Sequence, residues 1–178
     1  MTIDPIRRLP PKIPFFRGFL PVLVLVVASA CQVASPWGPT PDVGGASGTD
    51  AAASALDGNL ARCVAEVNRL RATVSLPPLQ RSAALETFAA TVAEYDAAAR
   101  QPHAYFRSTN GAGVALAETQ ILWWRGFTIP QVITRGLEQM WAVGPGGSHY
   151  DILTGPYSEV GCGIYVSNGE VTVVQDFR

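Results

Sequence analysis

Apolar side chains recur at helical spacing in the first part of the predicted folded region. This spacing predicts an amphipathic helix over residues 59–74, with an apolar face formed by Leu60, Cys63, Val64, Val67, Leu70 and Val74. Two prolines within residues 75–81 end this helix. Ser82 is suited to cap a second helix, whose apolar face consists of Leu85, Phe88, Val92, Tyr95 and Ala99.

The middle of the chain has a less regular pattern. Residues 101–114 predict a loop, and the strongly apolar segment 115–124 predicts a short helix. Thr128 is placed to cap a further helix, with Pro130 in a first turn where its missing N–H costs nothing. The buried face of this helix consists of Val132, Ile133, Leu137, Met140 and Trp141. Glycines and a proline within residues 144–147 end it.

Toward the C-terminus the hydrophobic period changes from helical to alternating. Two strands are predicted, because Val160, Cys162, Ile164 and Val166 occupy alternate positions in one segment and Val171, Val173, Gln175 and Phe177 do so in the next. Asn168-Gly169 between them is typical of a type I′ hairpin turn. Gly161 and Gly163 indicate that another element approaches the first strand closely. The whole pattern predicts an α+β fold, with three to four helices packed on a small antiparallel sheet.

Residues 1–30 have the pattern of an export signal. Arg7, Arg8, Lys12 and Arg17 precede an apolar run over residues 18–30, which is shorter than the roughly 20 residues of a membrane-spanning helix. Ala28-Ser29-Ala30-Cys31 resembles a bacterial lipobox, which implies lipidation of Cys31 and a membrane anchor. Gln32 resembles a residue that permits sorting to the outer membrane. The same letters also fit ordinary signal cleavage, which would release a soluble secreted product.

The remaining composition predicts a tether followed by one domain. Residues 31–58 comprise Cys31 and a segment rich in small and polar residues, which predicts a flexible linker before a domain over residues 59–178. Residues 1–30 carry four basic side chains and one acidic one, so without them the net charge changes from −1 to −4. No basic stripe remains, which argues against nucleic-acid binding. Cys63 and Cys162 form an even pair that predicts a disulfide; two buried free thiols are the alternative.

Several short motifs occur in order within the predicted domain. They are Asn68-Arg69-Leu70-Arg71, Pro78-Leu79, His103, Ala117-Glu118-Thr119, Trp141, Ser148-His149, Asp151-Ile152-Leu153, Val160-Gly161-Cys162-Gly163 and Val174-Gln175-Asp176-Phe177. Their order and spacing resemble the CAP superfamily, also called the SCP-like or sperm-coating-protein-like domain. The resemblance covers residues 59–178 and implies an α-β-α sandwich.

The resemblance also implies a candidate site. His103 and His149 are the only histidines in the chain, so any imidazole chemistry must use one or both. CAP proteins often have two histidines and two acidic residues in a central cleft, and His103, Glu118 and His149 match three of these positions. Residues 142–147 contain no acid for the fourth. Two imidazoles and a carboxylate are a workable ligand set for a divalent metal such as zinc. The alternative gives these side chains local structural roles.

The expected function follows from these features. Tyr105, Trp123, Trp124 and Tyr150 are candidates for a groove that binds a lipid or other small molecule, with core packing as the alternative. No Gly-x-Ser-x-Gly motif is present, and catalytic residues stay unassigned. We expect an exported, lipid-anchored CAP-domain protein of the outer membrane or cell surface that binds a small ligand, lipid or partner without catalysis. The alternatives are a metal-dependent hydrolase acting on peptide or envelope material and a structural surface module with a vestigial cleft.

Overall fold

Helices and strands alternate through most of the described part of the chain. A computed structural model describes residues 48–178. The helices are α1 Gly48–Ala72, α2 Ala83–Ala99, α3 Ala104–Thr109, α4 Ile129–Ala142 and α5 Ser148–Leu153. The strands are β1 Gln80–Arg81, β2 Ala117–Arg125, β3 Glu159–Ser167 and β4 Glu170–Phe177. A 3₁₀ turn at Asn110–Gly113 follows α3.

The four strands form one mixed sheet in the order β1-β3-β4-β2. β3 and β4 form the predicted antiparallel hairpin, with Asn168 and Gly169 both at positive φ in its turn. β2 pairs antiparallel with the other edge of β4. The short β1 pairs parallel with β3, so the sheet is not purely antiparallel as expected. β2 therefore lies at one edge of the sheet, which matters for the site described below.

Helices cover both faces of this sheet. Alternation along β4 sends neighbouring side chains to opposite sides. Val173 packs in a core cluster with residues of α1, α4 and α5, whereas Val174 packs in a second cluster with α2. The architecture is thus an α-β-α sandwich, and the predicted fold class is confirmed.

Helix α2 lies directly on the backbone of β3. A Cβ atom at Gly161 would lie 2.4 Å from the backbone nitrogen of Glu86, and one at Gly163 would lie 2.1 Å from the carbonyl carbon of Ala89. These distances leave no room for any side chain, so the predicted close approach at both glycines is confirmed.

The Asn68-to-Arg71 motif ties α1 to the loops around it. The Asn68 amide donates to the Leu79 carbonyl at 2.9 Å and accepts from the Leu79 N–H at 2.8 Å. Arg71 is 1% exposed, and its guanidinium donates to the carbonyls of Leu153, Gly155 and Pro77. A buried charge needs such partners, and this one joins α1 to the end of α5.

Two other predictions concern covalent and capping contacts. Cys63 and Cys162 form a disulfide, as predicted, and join α1 to β3 inside the core. Thr128 caps α4 in a reciprocal arrangement with Gln131, also as predicted for its position. Ser82 occupies the cap position of α2 but makes no side-chain capping hydrogen bond.

Several predicted elements are wrong. Residues 115–124 are not a helix: most of this segment forms β2, because its apolar residues pair with β4. Helix α1 starts at Gly48 rather than at residue 59, so the end of the predicted linker is helical. The predicted loop over 101–114 contains α3 and the 3₁₀ turn. Tyr95 is 49% exposed and does not belong to the buried face of α2.

The predictions for the export signal, Cys31 and residues 32–47 of the linker lie outside the described residues. Within residues 48–178, no helix combines the length and apolarity needed to cross a bilayer.

Candidate functional site

A cavity of about 440 Å³ lies beside edge strand β2. The beginning of α3 and the beginning of α5 contribute to its walls together with β2. Its lining residues are His103, Phe106, Arg107, Leu116, Ala117, Glu118, Ser148, His149 and Ile152. The structure thus brings His103, Glu118 and His149, which come from three separate elements, to the wall of one cavity. We call it the edge cavity.

His103 is positioned by a sharp change of chain direction. Helix α2 ends at Arg100 and α3 is preceded by His103, both in the left-handed region with φ of 54° and 58°. The His103 N–H donates to the Gln120 side-chain oxygen at 3.0 Å. Asp96 on α2 accepts from the Tyr105 N–H at 2.9 Å. These bonds fix the start of α3 against α2 and β2.

Glu118 is the buried centre of the polar contacts in this cavity. Its Oε1 lies 2.7 Å from His103 Nδ1 and accepts from Gln120 Nε2 at 2.9 Å. Gln120 Nε2 also donates to Asp96 Oδ2 at 2.7 Å. The second oxygen, Glu118 Oε2, is buried and has no hydrogen-bond partner among the described residues. Burial raises the pKa of Glu118, and the hydrogen bond and charge of His103 offset part of this rise.

A second acid, Asp176, faces the same region from β4. Asp176 pairs with Glu118 in the β2–β4 register, so the two side chains point to the same side of the sheet. Asp176 is 0% exposed, and neither of its oxygens has a hydrogen-bond partner within residues 48–178. Burial, together with the charges of Glu118 and Asp96, raises its pKa to about 9. Asp176 is therefore protonated at neutral pH.

Asp176, Asp96 and Gln120 were not among the predicted site residues. Asp176 could have been noticed in the sequence, because it places a carboxylate in the otherwise mostly apolar strand over residues 171–177. Asp96 occupies a position on the buried face of α2, next to the predicted position Tyr95. Asp96 and Asp176 are far from Glu118 in sequence, so only the fold shows that Asp96 joins Glu118 through Gln120 and that Asp176 lies opposite Glu118 in the sheet.

The zinc hypothesis requires three lone pairs that converge at about 2.0–2.2 Å from one ion. Residues 48–178 contain no group of three or more His, Cys, Asp or Glu side chains arranged to hold a metal ion. His103 Nδ1 and Glu118 Oε1 instead contact each other. The trio His103, Glu118 and His149 thus shares a cavity, and metal binding by these three residues stays a prediction.

The four aromatic groove candidates are not brought together. Tyr105 packs against Phe88 and Tyr95, and Tyr150 stacks on Trp141 with ring centroids 4.6 Å apart. Trp124 lines a different cavity of about 270 Å³, which also includes His149. Trp123 lines a cavity at the hairpin end of the sheet. None of the four lines the edge cavity, where Phe106 is the only aromatic ring apart from the two histidines.

Two solved structures and one family model are similar to this chain. The chain is similar to a cysteine-rich secretory protein from Staphylococcus aureus subsp. aureus Mu50, with a TM-score of 0.45 and 16% identity, over 68% of this chain and 39% of that protein. It is also similar to an outer surface protein from Borrelia burgdorferi, with a TM-score of 0.45 and 20% identity, over 64% of this chain and 86% of that protein. The chain thus spans less than half of the staphylococcal protein. No curated protein matches the chain significantly. The family model of CAP, the cysteine-rich secretory protein family, matches residues 64–177, which is more than half of the sequence, and the chain therefore belongs to the CAP family.

Proposed function

We propose that this protein binds a small ligand in the edge cavity and acts as a binding protein rather than an enzyme. One observation carries the proposal: Glu118 is buried in the cavity wall, and only one of its two oxygens is used by the protein. An unpaired buried carboxyl oxygen is costly. A ligand that donates a hydrogen bond to Glu118 Oε2 would remove that cost.

The other walls define the chemistry of the ligand. Phe106, Leu116 and Ile152 supply apolar surface, and Leu116 is 73% exposed at the chain segment before β2. Arg107 and His149 supply polar groups. A volume of about 440 Å³ falls within the roughly 300–1,000 Å³ of typical small-molecule sites. The cavity therefore suits a small amphipathic molecule with an apolar body and a hydrogen-bond-donating head.

Native mass spectrometry of the full-length chain, extracted from the cell envelope in mild detergent, tests this proposal. We expect a co-purified small molecule that is lost in Glu118→Gln, which changes the buried carboxylate, and in Leu116→Asp, which adds charge at the exposed apolar wall. The matched controls are Glu138→Gln and Leu56→Asp, two exposed positions outside the cavity, and both should retain the molecule. Equal retention in all four variants, or no bound molecule in the unmodified protein, would contradict the proposal.

The same variants separate binding from hydrolysis. Turnover of peptide or cell-wall material by the unmodified protein, lost in Glu118→Gln and kept in Glu138→Gln, would replace the binding proposal with the hydrolase alternative. Thermal stabilisation by zinc that disappears in both His103→Ala and His149→Ala would support the prediction of a metal site.

We also propose that the protein is exported and anchored to the envelope through Cys31, since Ala28-Ser29-Ala30-Cys31 follows the basic and apolar segments of an export signal. A lipid anchor with more than one acyl chain is sufficient for stable attachment. Metabolic labelling with a radioactive fatty acid should label the unmodified chain and not Cys31→Ser. Release of unlabelled protein into the medium in both cases would favour the secreted alternative.

A further inference from the structure

A separate cavity of about 260 Å³ lies at the hairpin end of the sheet, away from the start of β2. It is formed where the end of α2 meets the β3–β4 hairpin and the far end of β2. Its polar and aromatic lining includes Arg100, Trp123, Tyr165, Asn168, Glu170 and Thr172. None of these residues lines the edge cavity.

The backbone of β2 is irregular at Trp123, which lines this cavity. The register between β2 and β4 shifts between Ile121 and Trp124, which marks a β-bulge. Trp123 lies in this bulge at a φ of 60°, a left-handed conformation that is unusual for a bulky aromatic residue. Bulges are common beside binding sites because they redirect a side chain. Strain of this kind is a reason to look for function at the residue that carries it.

The Trp123 indole also lacks the partner that a buried Trp N–H usually has. Its Nε1 is buried and has no hydrogen-bond partner among the described residues. The bulge therefore presents an unsatisfied donor in a residue that lines the cavity. A ligand that supplies an acceptor there would satisfy it.

Three charged side chains at the cavity form one ion-pair network. Arg100 lies over the Trp123 ring, with its guanidinium carbon 5.5 Å from the ring centroid, and pairs with Glu170 at 2.6 Å. Arg125 holds the same carboxylate from the other side at 2.9 Å. Because Arg100 and Glu170 neutralise each other within the lining, a strongly charged ligand gains little. Because Ser167, Asn168 and Thr172 add polar groups to the lining, a purely apolar ligand gains little as well.

We propose that this hairpin cavity binds one neutral sugar ring, either free or at the end of a glycan. A sugar presents a C–H face that packs on aromatic rings such as Trp123 and Tyr165. Its hydroxyl and carbonyl oxygens provide acceptors for the indole N–H and for Arg100. Its hydroxyl hydrogens provide donors for Glu170 and for the side-chain oxygens of Asn168 and Thr172. The cavity volume leaves room for a single ring.

Titration of the full-length chain, labelled with ¹⁵N in its tryptophan side chains and held in mild detergent, tests this proposal. The chain has four tryptophans, so each indole N–H gives a resolvable signal, and Trp123→Phe assigns the one at the cavity. We expect glucose and N-acetylglucosamine to shift the Trp123 signal in a saturable manner. A tighter binding of N-acetylglucosamine would indicate that its acetamido carbonyl accepts from the indole.

Two variants keep the backbone and remove the side chain that recognises the sugar. Arg100→Asn and Asn168→Gly both suit the left-handed conformations at these positions. Each should weaken sugar binding by about tenfold without lowering the unfolding temperature greatly. Arg62→Gln, on an exposed face of α1, and Glu118→Gln, in the edge cavity, should bind sugar normally.

The proposal is wrong if neither sugar gives a saturable shift of the Trp123 signal at the highest concentration that leaves the protein folded. It is also wrong if the shift persists unchanged in Arg100→Asn and Asn168→Gly. Because these measurements do not use the edge cavity, they stand independently of the proposed ligand binding at Glu118.

Discussion

Asp176 combines full burial with the absence of any hydrogen-bond partner in the described region. A charged carboxylate in this position would face Glu118 across the strand pair and have Asp96 nearby. Like charges at a directly opposite pair are destabilising. Protonation is the way in which Asp176 avoids this repulsion, and it makes the stability of the protein depend on pH.

The first prediction concerns this pH dependence. Below pH 3.8, the ordinary pKa of this carboxyl, Asp176 is mostly protonated in both the folded and the unfolded chain. Between there and about pH 9, only the folded state keeps the proton, so rising pH lowers the free energy of unfolding. Asp176→Asn, which keeps the shape without the charge, should remove this contribution. Its stability relative to the unmodified protein should increase from pH 4 to pH 9, as measured by urea unfolding.

A constant difference in unfolding free energy across that range would contradict the raised pKa of Asp176. Asp151→Asn is a suitable control, because Asp151 is exposed and accepts only from the Gly146 N–H in a surface turn. The control should show no comparable trend between pH 4 and pH 9.

The second prediction uses two arginines of the same motif. Arg71→Met would leave the buried Leu153 carbonyl without its donor among the described residues, and it would remove one of the two donors to the Gly155 carbonyl, which also accepts from the Tyr157 N–H. An unsatisfied buried group costs about 1–3 kcal/mol, so we expect a loss of about 2 kcal/mol or more in unfolding free energy. Arg69→Met removes an exposed ion pair with Glu66 and should cost about 1 kcal/mol or less. Similar losses in both variants, measured by denaturant unfolding, would contradict the structural role of Arg71.

The sequence marked some of these residues and not others, for a physical reason. Asn68 and Arg71 belong to a motif of contiguous letters, so the motif could be recognised although its hydrogen bonds could not. Glu118 was identified in the same way, because it lies in the motif Ala117-Glu118-Thr119. Asp176 and Asp96 acquire their character only from burial beside Glu118. Local sequence does not determine burial by another element, so the raised pKa of Asp176 could not be predicted.

Strand β2 shows where pattern reasoning fails for a whole element. Its apolar run, residues 121–124, has no alternation of polar and apolar positions that would distinguish a strand from a helix. Tertiary pairing with β4 decides the outcome. The β3–β4 hairpin and α4 were predictable because local signals, the Asn168-Gly169 turn and the Thr128 cap, agree with their periods.

The third prediction tests the contact between α2 and β3. Gly163→Ala would place a methyl group 2.1 Å from the backbone of Ala89, and backbone cannot move aside as a flexible side chain can. Overpacking of a core costs about 1–3 kcal/mol and sometimes more, so the unfolding temperature should fall clearly. Gly58→Ala in α1 meets nothing within 4 Å and should instead stabilise the helix by about 0.5–1 kcal/mol. Equal effects of the two substitutions on thermal unfolding would show that α2 does not lie directly on β3.

At the level of the whole molecule, β2 connects the two candidate binding sites. Glu118 near its start lines the edge cavity, and Trp123 near its end lines the hairpin cavity. Five residues of strand at about 3.3 Å each separate their backbones by about 16 Å. Both sites therefore depend on the pairing of β2 with β4, although their lining residues differ. Loss of that pairing should impair both proposed binding sites together, whereas each side-chain variant proposed above should impair only one.

The fourth prediction concerns the disulfide between Cys63 and Cys162, which closes a loop across most of the folded region. The two cysteines are 99 residues apart, and in the chain-entropy model a loop of this size is worth about 4–5 kcal/mol through restriction of the unfolded chain. Measured losses on removing native disulfides are about 2–5 kcal/mol. Cys63→Ala/Cys162→Ala should therefore lose a similar amount of unfolding free energy, as measured in urea under oxidising conditions.

Reduction offers a control that leaves the sequence unchanged. A thiol reductant should destabilise the unmodified protein by a comparable amount and leave the double variant unaffected, because the disulfide is the reducible bond between described residues. Loss of the disulfide should lower the unfolding free energy without changing the two cavities, since neither cysteine lines the edge cavity or the hairpin cavity. The double variant, if held well below its unfolding temperature, should keep the Trp123 signal and its sugar-induced shift. A reductant that left the unfolding free energy of the unmodified protein unchanged would show that the bridge does not form in solution.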